Sequence, residues 1–160
     1  MSFRVGHGFD VHRLVAARPL LLAGVAVPHP RGLEGHSDGD CVLHAVCDAL
    51  LGALAAGDMG AHFPSADPRW KGAKSRVFVL ETLRIVRARG YEIENVDVTV
   101  VAQEPTLASH LPAMRESLAG LLGLSVDAVS VKAKSADGLG AIGRGEGIAA
   151  EVVTLLRDRS

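Results

Sequence analysis

The stretch DGDCVLHAVCDALLGALAA, running from Asp38 to Ala56, decides how the rest of the chain is read. Val42, Leu43, Val46, Ala49, Leu50, Ala53 and Leu54 recur at spacings of three and four, which predicts one apolar helix. Ser37 reads as its N-cap, with Asp40 three residues on as a short-armed capping partner, and Gly57 stops it. Before this helix, Phe3–His12 reads as a short strand. Val5, His7, Phe9 and Val11 would share one face of it, and Asp10 and His12 the other, because side chains two apart on a strand point the same way. Leu20–Val27 reads as strand and turn, halted by Pro28-His29-Pro30-Arg31-Gly32, since proline fixes its own backbone and restrains the residue before it. Glu34–Ser37 is a loop.

After Gly57, turn residues dominate Asp58–Gly72, and a second helix is predicted over Ser75–Arg89 with Val79, Leu80, Leu83 and Val86 inward. Tyr91–Gln103 alternates as a strand that Pro105 ends. A third helix runs from about His110 to Leu122, with Gly123 beyond it. Val129–Lys134 is a strand, and Gly147–Arg157 reads equally as strand or helix. This order of elements predicts an α/β fold, an α+β layer sandwich with a mixed β-sheet packed against helices, in a single domain over residues 1–160.

Composition narrows the function classes. With 48% apolar and 22% charged residues, the chain has enough to build a core, so wholesale disorder is excluded. A formal net charge of −1 lacks the basic footprint of a nucleic-acid binder. Four Phe, one Trp and one Tyr are too few for a base-stacking platform. No basic N-terminal region leads into an apolar run, and no apolar run approaches the roughly 20 residues that span a bilayer. Cys41 and Cys47 lie six apart in one helix, on different faces, a poor geometry for a disulfide; a cytoplasmic location is expected.

Four clusters carry residue types suited to chemistry. Asp10 and His12 share a strand face, and His44 sits in the first turns of the helix; one carboxylate and two imidazoles suit Zn²⁺ with a coordination position left open. The same Asp10–His12 spacing also describes an ordinary hydrogen-bonded pair, and Cys41 and Asp48 lie close enough on the helix to compete as ligands. His36-Ser37-Asp38-Gly39-Asp40 directly precedes a helix, which fits a phosphate held at a positive dipole end, or simple capping. Asp58–Asp67 has the composition of a loop gripping a sugar, or of a connection built on Asx turns. Lys134–Gly147 supplies a cation, a hydroxyl and a carboxylate at Asp137 suited to Mg²⁺, and reads otherwise as a flexible turn. Gly138–Gly143 satisfies the G-x-G-x-x-G spacing, but a dinucleotide site needs a full helix, a second strand and an acid about 20 residues on.

Taken in order, these clusters resemble the 2-C-methyl-D-erythritol 2,4-cyclodiphosphate synthase family. The resemblance rests on Gly6–His12, Gly35–Asp40 with His44, Asp58-Met59-Gly60, Phe63-Pro64, Asn95–Thr99, Ala102-Gln103 with Pro105, and Gly143–Ala149. It implies a homotrimer with active sites between subunits, its sheets facing the threefold axis. The implied reaction converts 4-diphosphocytidyl-2-C-methyl-D-erythritol 2-phosphate to the cyclic diphosphate plus CMP. By the same resemblance Asp10, His12 and His44 hold Zn²⁺, and Asp137 holds Mg²⁺ or Mn²⁺ with the substrate phosphates. His36 and Ser135 would steady the transition state, and Ser37 would contact the substrate. Asp58, Met59 and Gly60 would take the ribose, and Phe63, Pro64, Ser65, Ala66 and Asp67 would lie along the methylerythritol. Ala102 to Ala108, including Pro105, Thr106 and Leu107, with Ala133, Lys134 and Ser135, would hold the cytosine; Ala136, Ala141 and Arg144 complete the substrate set. Phe9, Arg144 and Glu146 would line a threefold cavity for an isoprenoid diphosphate. The chain departs from the family pattern with Thr106 for a usual Lys, Lys134-Ser135 for a Thr pair, Asp137 for Glu and Ala141 for a larger apolar residue. Two other readings use the same residues: a metal-dependent phosphohydrolase, and a non-catalytic trimer that binds isoprenoid diphosphates.

Overall fold

The computed structural model describes residues 1–159. Strands β1 (Phe3–Ala16), β4 (Arg31–Leu33), β5 (Tyr91–Val101), β6 (Val129–Lys134) and β7 (Gly147–Asp158) form one sheet in the order β4-β1-β7-β5-β6. Only β5 and β6 run parallel; the other neighbours are antiparallel, so the sheet is mixed as expected. Strands β2 (Leu20–Leu22) and β3 (Val25–Val27) make a separate hairpin. Helices α1 (Cys41–Ala53), α3 (Ser75–Ala88) and α4 (Leu111–Leu122) pack with the sheet, and the short α2 (Met59–His62) and α5 (Gly140–Gly143) sit in loops. The undecided segment Gly147–Arg157 is β7, a central strand. Its Ile148, Ala150, Val152, Thr154 and Leu156 are buried at period two.

Helix α1 lies between the sheet and α3, which explains its composition. Ten of its 13 residues are buried, and the three that are not, His44, Asp48 and Gly52, stand four apart on one stripe. That stripe is the one face of the central helix open to a ligand. It starts later than the sequence suggested, at Cys41, because Asp40 and not Ser37 is the N-cap. The Asp40 carboxylate is fully buried and accepts from Leu43 N at 3.1 Å, Ala23 N at 3.0 Å and Gly24 N at 2.6 Å. One side chain thus caps α1 and fastens the β2–β3 turn to it, where Ala23 and Gly24 both have positive φ.

Strand β1 reaches α1 through glycine. A Cβ on Gly6 would stand 1.9 Å from the Ala49 carbonyl oxygen, and one on Gly8 2.0 Å from that of Ala45. Absent side chains on the strand and alanines on the helix bring the two backbones together, which delivers Asp10 and His12 beside His44. The opposite face of β1 is not covered by this chain: Phe3, Val5, Phe9 and Val11 are each at least half exposed, and Val153 of β7 is 44% exposed. The alternation on β1 was read correctly, but its apolar side is the outer one. Leu80, predicted inward on α3, is instead 46% exposed, and Phe78 takes the buried position beside Val79. Gly32, read as part of a stop signal, and the following Leu33 are buried in the short edge strand β4. Among the described residues no helix is long and apolar enough to cross a membrane.

Candidate active site

Asp10 and His12 project from β1 and His44 from α1, and the three form the one such group of possible metal ligands among the described residues. Asp10 Oδ2 lies 2.8 Å from His12 Nε2 and 3.0 Å from His44 Nδ1, and the two nitrogens are 3.2 Å apart. All three side chains are largely shielded, with 13–25% of each exposed. The far side of each ring is also engaged. His12 Nδ1 donates to the Glu34 carbonyl, and His44 Nε2 lies 2.9 Å from Ser75 Oγ and 3.1 Å from Ser37 Oγ. Loop Glu34–Ser37 is itself held by Arg18, whose guanidinium donates to the carbonyls of Gly35 at 3.1 Å and Ser37 at 2.8 Å.

These contacts test whether a metal fits. With Nδ1 protonated toward Glu34, His12 turns the lone pair of Nε2 inward. The Ser75 hydroxyl donates to Asp38, so its oxygen accepts the proton of His44 Nε2, and His44 Nδ1 is also a lone pair facing inward. Two imidazole lone pairs and a carboxylate oxygen then converge within 3.2 Å, an arrangement that repels itself unless a cation sits among them. Without the cation, burial works against the charge of Asp10, but hydrogen bonds and charge from His12 and His44 outweigh it and hold the carboxyl well below the usual range. The Asp10 hydrogen bond correspondingly raises His12, against the opposing effect of burial. Neither competing ligand joins the group. Cys41 is fully buried in the core, where burial keeps its thiol protonated well above the ordinary range, and Asp48 accepts from Met59 N at 2.8 Å.

The triad borders a cavity of about 180 Å³ lined by His12, His36, Ser37, His44, Met59, Phe63, Ser65, Trp70 and Phe78. Phe63, Trp70 and Phe78 form a ring cluster with centroids 5.0–5.5 Å apart, giving the cavity an apolar wall in which charge–dipole contacts are strengthened. His36 is exposed at this cavity, whereas Ser37 is buried. The expectation of a phosphate on the α1 N-terminus is corrected: Asp40 occupies that end and is inaccessible. Asp58 caps α2 through Ala61 N at 2.9 Å, and Asp67 caps a 3₁₀ turn and pairs with Arg69 at 2.6 Å. Capping therefore accounts for both carboxylates of that loop.

A second cavity, about 230 Å³, is lined by Ala102, Gln103, Pro105, Thr106, Leu107, Ala108, Leu111, Ala133, Lys134 and Ser135. It unites the two segments that the resemblance assigns to cytosine. Ser135 is exposed at its edge, and Asp137, also exposed, has φ 52° with its amide 3.4 Å from Ser135 Oγ. Asp10 pairs with Ala150, Ala150 with Val100 and Val100 with Ala133, so the two cavities lie along one row of the sheet. Three strand spacings separate them, roughly 14 Å. Arg144 and Glu146 form an ion pair at 2.6 Å and are exposed, as are Phe9 and Ala141. Ser75, Trp70, Phe78 and Arg18 were missed as site residues, and Asp38 was read only as a helix-start residue of the His36–Asp40 cluster. Their positions beside the triad depend on tertiary contacts, and no local sequence pattern marks them.

Comparison with known proteins matches residues 3–157 to the YgbB family. The 2-C-methyl-D-erythritol 2,4-cyclodiphosphate synthase of Laribacter hongkongensis is 57% identical over 159 residues, 99% of this chain and 98% of that protein. A solved 2C-methyl-D-erythritol-2,4-cyclodiphosphate synthase in a CDP-bound form superposes with a TM-score of 0.90 at 41% identity, covering 96% of this chain and all of that one. The bifunctional IspDF from Campylobacter jejuni gives a TM-score of 0.93 at 40% identity, covering 98% of this chain and 42% of the longer one. With the family model matched over nearly the whole chain and relatives more than half identical across it, the chain belongs to the YgbB family.

Proposed function

We infer that the protein is an enzyme of isoprenoid biosynthesis, a cyclising lyase that converts 4-diphosphocytidyl-2-C-methyl-D-erythritol 2-phosphate to 2-C-methyl-D-erythritol 2,4-cyclodiphosphate and CMP. The observation that carries the reading is the convergence of Asp10, His12 and His44 beside a cavity, in a chain whose relatives bear that name. An oxygen of the substrate's 2-phosphate forms a bond to the β-phosphorus. The bond from that phosphorus to the oxygen bridging to the α-phosphate breaks, and CMP departs with the bridging oxygen. The attacking group is the substrate's own, so the protein need supply no nucleophile, only position and charge complementarity.

Asp10 Oδ2, His12 Nε2 and His44 Nδ1 are the atoms that would hold Zn²⁺, which supplies Lewis-acid polarisation of a phosphate when bound. His36, at the mouth of the same cavity, is placed to donate to a phosphoryl oxygen as charge builds there. Met59, Phe63 and Ser65 line its wall, in keeping with a methylerythritol lying across them; Asp58, Gly60, Pro64, Ala66 and Asp67 belong to the same loop. In the second cavity, the apolar floor with backbone amides and carbonyls suits a flat base, and Ser135 and Lys134 at its rim suit the adjoining phosphates. Asp137 would meet a Mg²⁺ or Mn²⁺ ion carried in by those phosphates.

The roughly 14 Å between the two cavities supports active sites shared between chains, because a neighbouring copy can bring its base pocket to this chain's metal ligands. The uncovered apolar face of β1 and β7 supports the same conclusion, since Phe3, Val5, Phe9, Val11 and Val153 need a partner surface. A homotrimer with these sheets around its axis satisfies both, leaving Phe9, Arg144 and Glu146 for an axial cavity that could take an isoprenoid diphosphate. We place the enzyme in the cytoplasm on the ground that its two cysteines are unpaired thiols.

Product analysis tests the reaction: ³¹P spectra after incubation with substrate, zinc and magnesium should show CMP and a cyclic diphosphate in equal amounts. Linear phosphates in place of the cyclic product would favour the phosphohydrolase reading. In the same assay, Ser135→Ala is expected to lower kcat on the order of a hundredfold, the usual effect of losing one charge-stabilising donor.

A further inference from the structure

Asp38 is read from the sequence as a residue favoured at a helix start, and the structure gives it a different helix to serve. The N-terminus of α3 has no side-chain cap from Lys74, the residue preceding it. Instead the Asp38 carboxylate, from the loop before α1, accepts from the backbone N of Ser75 at 2.9 Å through Oδ2 and from the Ser75 hydroxyl through Oδ1. Ser75 is fully buried. Its hydroxyl has one proton, and Asp38 takes it, so the oxygen facing His44 Nε2 at 2.9 Å is an acceptor. Ser37 Oγ, at 3.1 Å, is the other group facing that nitrogen.

We propose that Asp38 and Ser75 are positioning residues that lock His44 in its Nε2-protonated tautomer and so aim the Nδ1 lone pair at the metal position. This rests on the metal-site reading above and extends it outward, from the residue that binds to the pair that orients it. A negative carboxylate, a hydroxyl and an imidazole in series also make His44 a better electron donor. His12 is oriented more simply, by the Glu34 carbonyl. The two histidines are therefore held by different parts of the chain, and the α3 N-terminus is built into the site through Ser75.

Asp38→Asn separates this role from capping. An amide presents one acceptor and one donor where the carboxylate presents two acceptors. If the amide oxygen keeps the Ser75 backbone N–H, its NH₂ faces the Ser75 oxygen. The hydroxyl proton is then driven toward His44 Nε2, the opposite tautomer is favoured, and a proton is aimed at the metal position. Zinc affinity measured by competition with a chromogenic chelator is expected to fall about 10- to 100-fold in Asp38→Asn and in Ser75→Ala. Ser75→Thr, which retains the hydroxyl, should recover most of it, and far-UV circular dichroism verifies that each variant is folded. Long-range ¹H–¹⁵N spectra should show His44 protonated at Nε2 in the wild type, with or without zinc. Wild-type affinity in folded Asp38→Asn, or a wild-type His44 that carries no proton on Nε2, would overturn the proposal. A wild type that binds no zinc yet shows the Nε2 tautomer would sink the metal reading and leave the relay standing.

Discussion

His44→Ala should fold, bind no zinc and release CMP at least about a thousandfold more slowly than the wild type. Removing one of three protein ligands costs the site its closed donor set, and Lewis-acid stabilisation of phosphoryl charge is worth several kcal/mol, with each 1.36 kcal/mol a factor of ten. The fold should survive because His44 is on the one open stripe of α1 and not in its buried majority. Loss of the imidazole also leaves Asp10 and His12 as a simple ion pair, which relieves the crowding of acceptors. Metal analysis of the purified variant beside a CMP-release assay checks both halves. Retention of most activity by a metal-free His44→Ala protein would contradict the mechanism.

The second large effect is on stability. Asp40→Ala removes one carboxylate from three backbone donors: Leu43 N and Ala23 N, which are buried, and Gly24 N, which belongs to an exposed residue and is open to water. Each of the two stranded buried donors costs about 1–3 kcal/mol, so the loss is roughly 2–6 kcal/mol against a total stability of about 5–15 kcal/mol for a domain. Burial pushes the Asp40 carboxyl up to about 6, against the backbone hydrogen bonds that favour its charged form. A raised carboxyl binds its proton more tightly in the folded state than in the unfolded chain, where the value is 3.8. Its contribution is therefore full below about 3.8 and is lost progressively as pH rises from there through about 6. Denaturant unfolding of the wild type and Asp40→Ala should show the widest gap at or below about pH 4, shrinking through pH 5–6 and narrowest at pH 7. Equal stability of the two proteins at pH 5 would mean that the cap carries none of this load.

Much of the fold was legible because its elements obey simple periods. Val96, Val98 and Val100 alternate as a half-buried strand must, and Gly123 closes α4 with a positive φ. Errors arose where tertiary contacts override local pattern. Ser37 had the chemistry of an N-cap, but its hydroxyl is drawn to His44 and Ser75, which left Asp40 to cap α1. The outer face of β1 is apolar, and a single chain's sequence does not distinguish a face buried by its own helices from one left for a partner. The metal triad is legible in residue type alone; what joins Asp10 and His12 to His44, 32 residues beyond His12, is the close glycine–alanine contact of β1 with α1. Asp38 and Ser75 lie 37 apart and nothing local links them; only the packing of α3 beside α1 brings Ser75 to Asp38 and both to the site.

Crystals of the zinc-loaded protein with CDP bound, measured at the zinc absorption edge, examine the whole construction at once. One anomalous peak per chain is expected, about 2.0–2.2 Å from Asp10 Oδ2, His12 Nε2 and His44 Nδ1. The cytosine should lie against the Ala102–Ala108 and Ala133–Ser135 segments of an adjacent copy. A fully loaded protein with no peak among those three atoms would contradict the account.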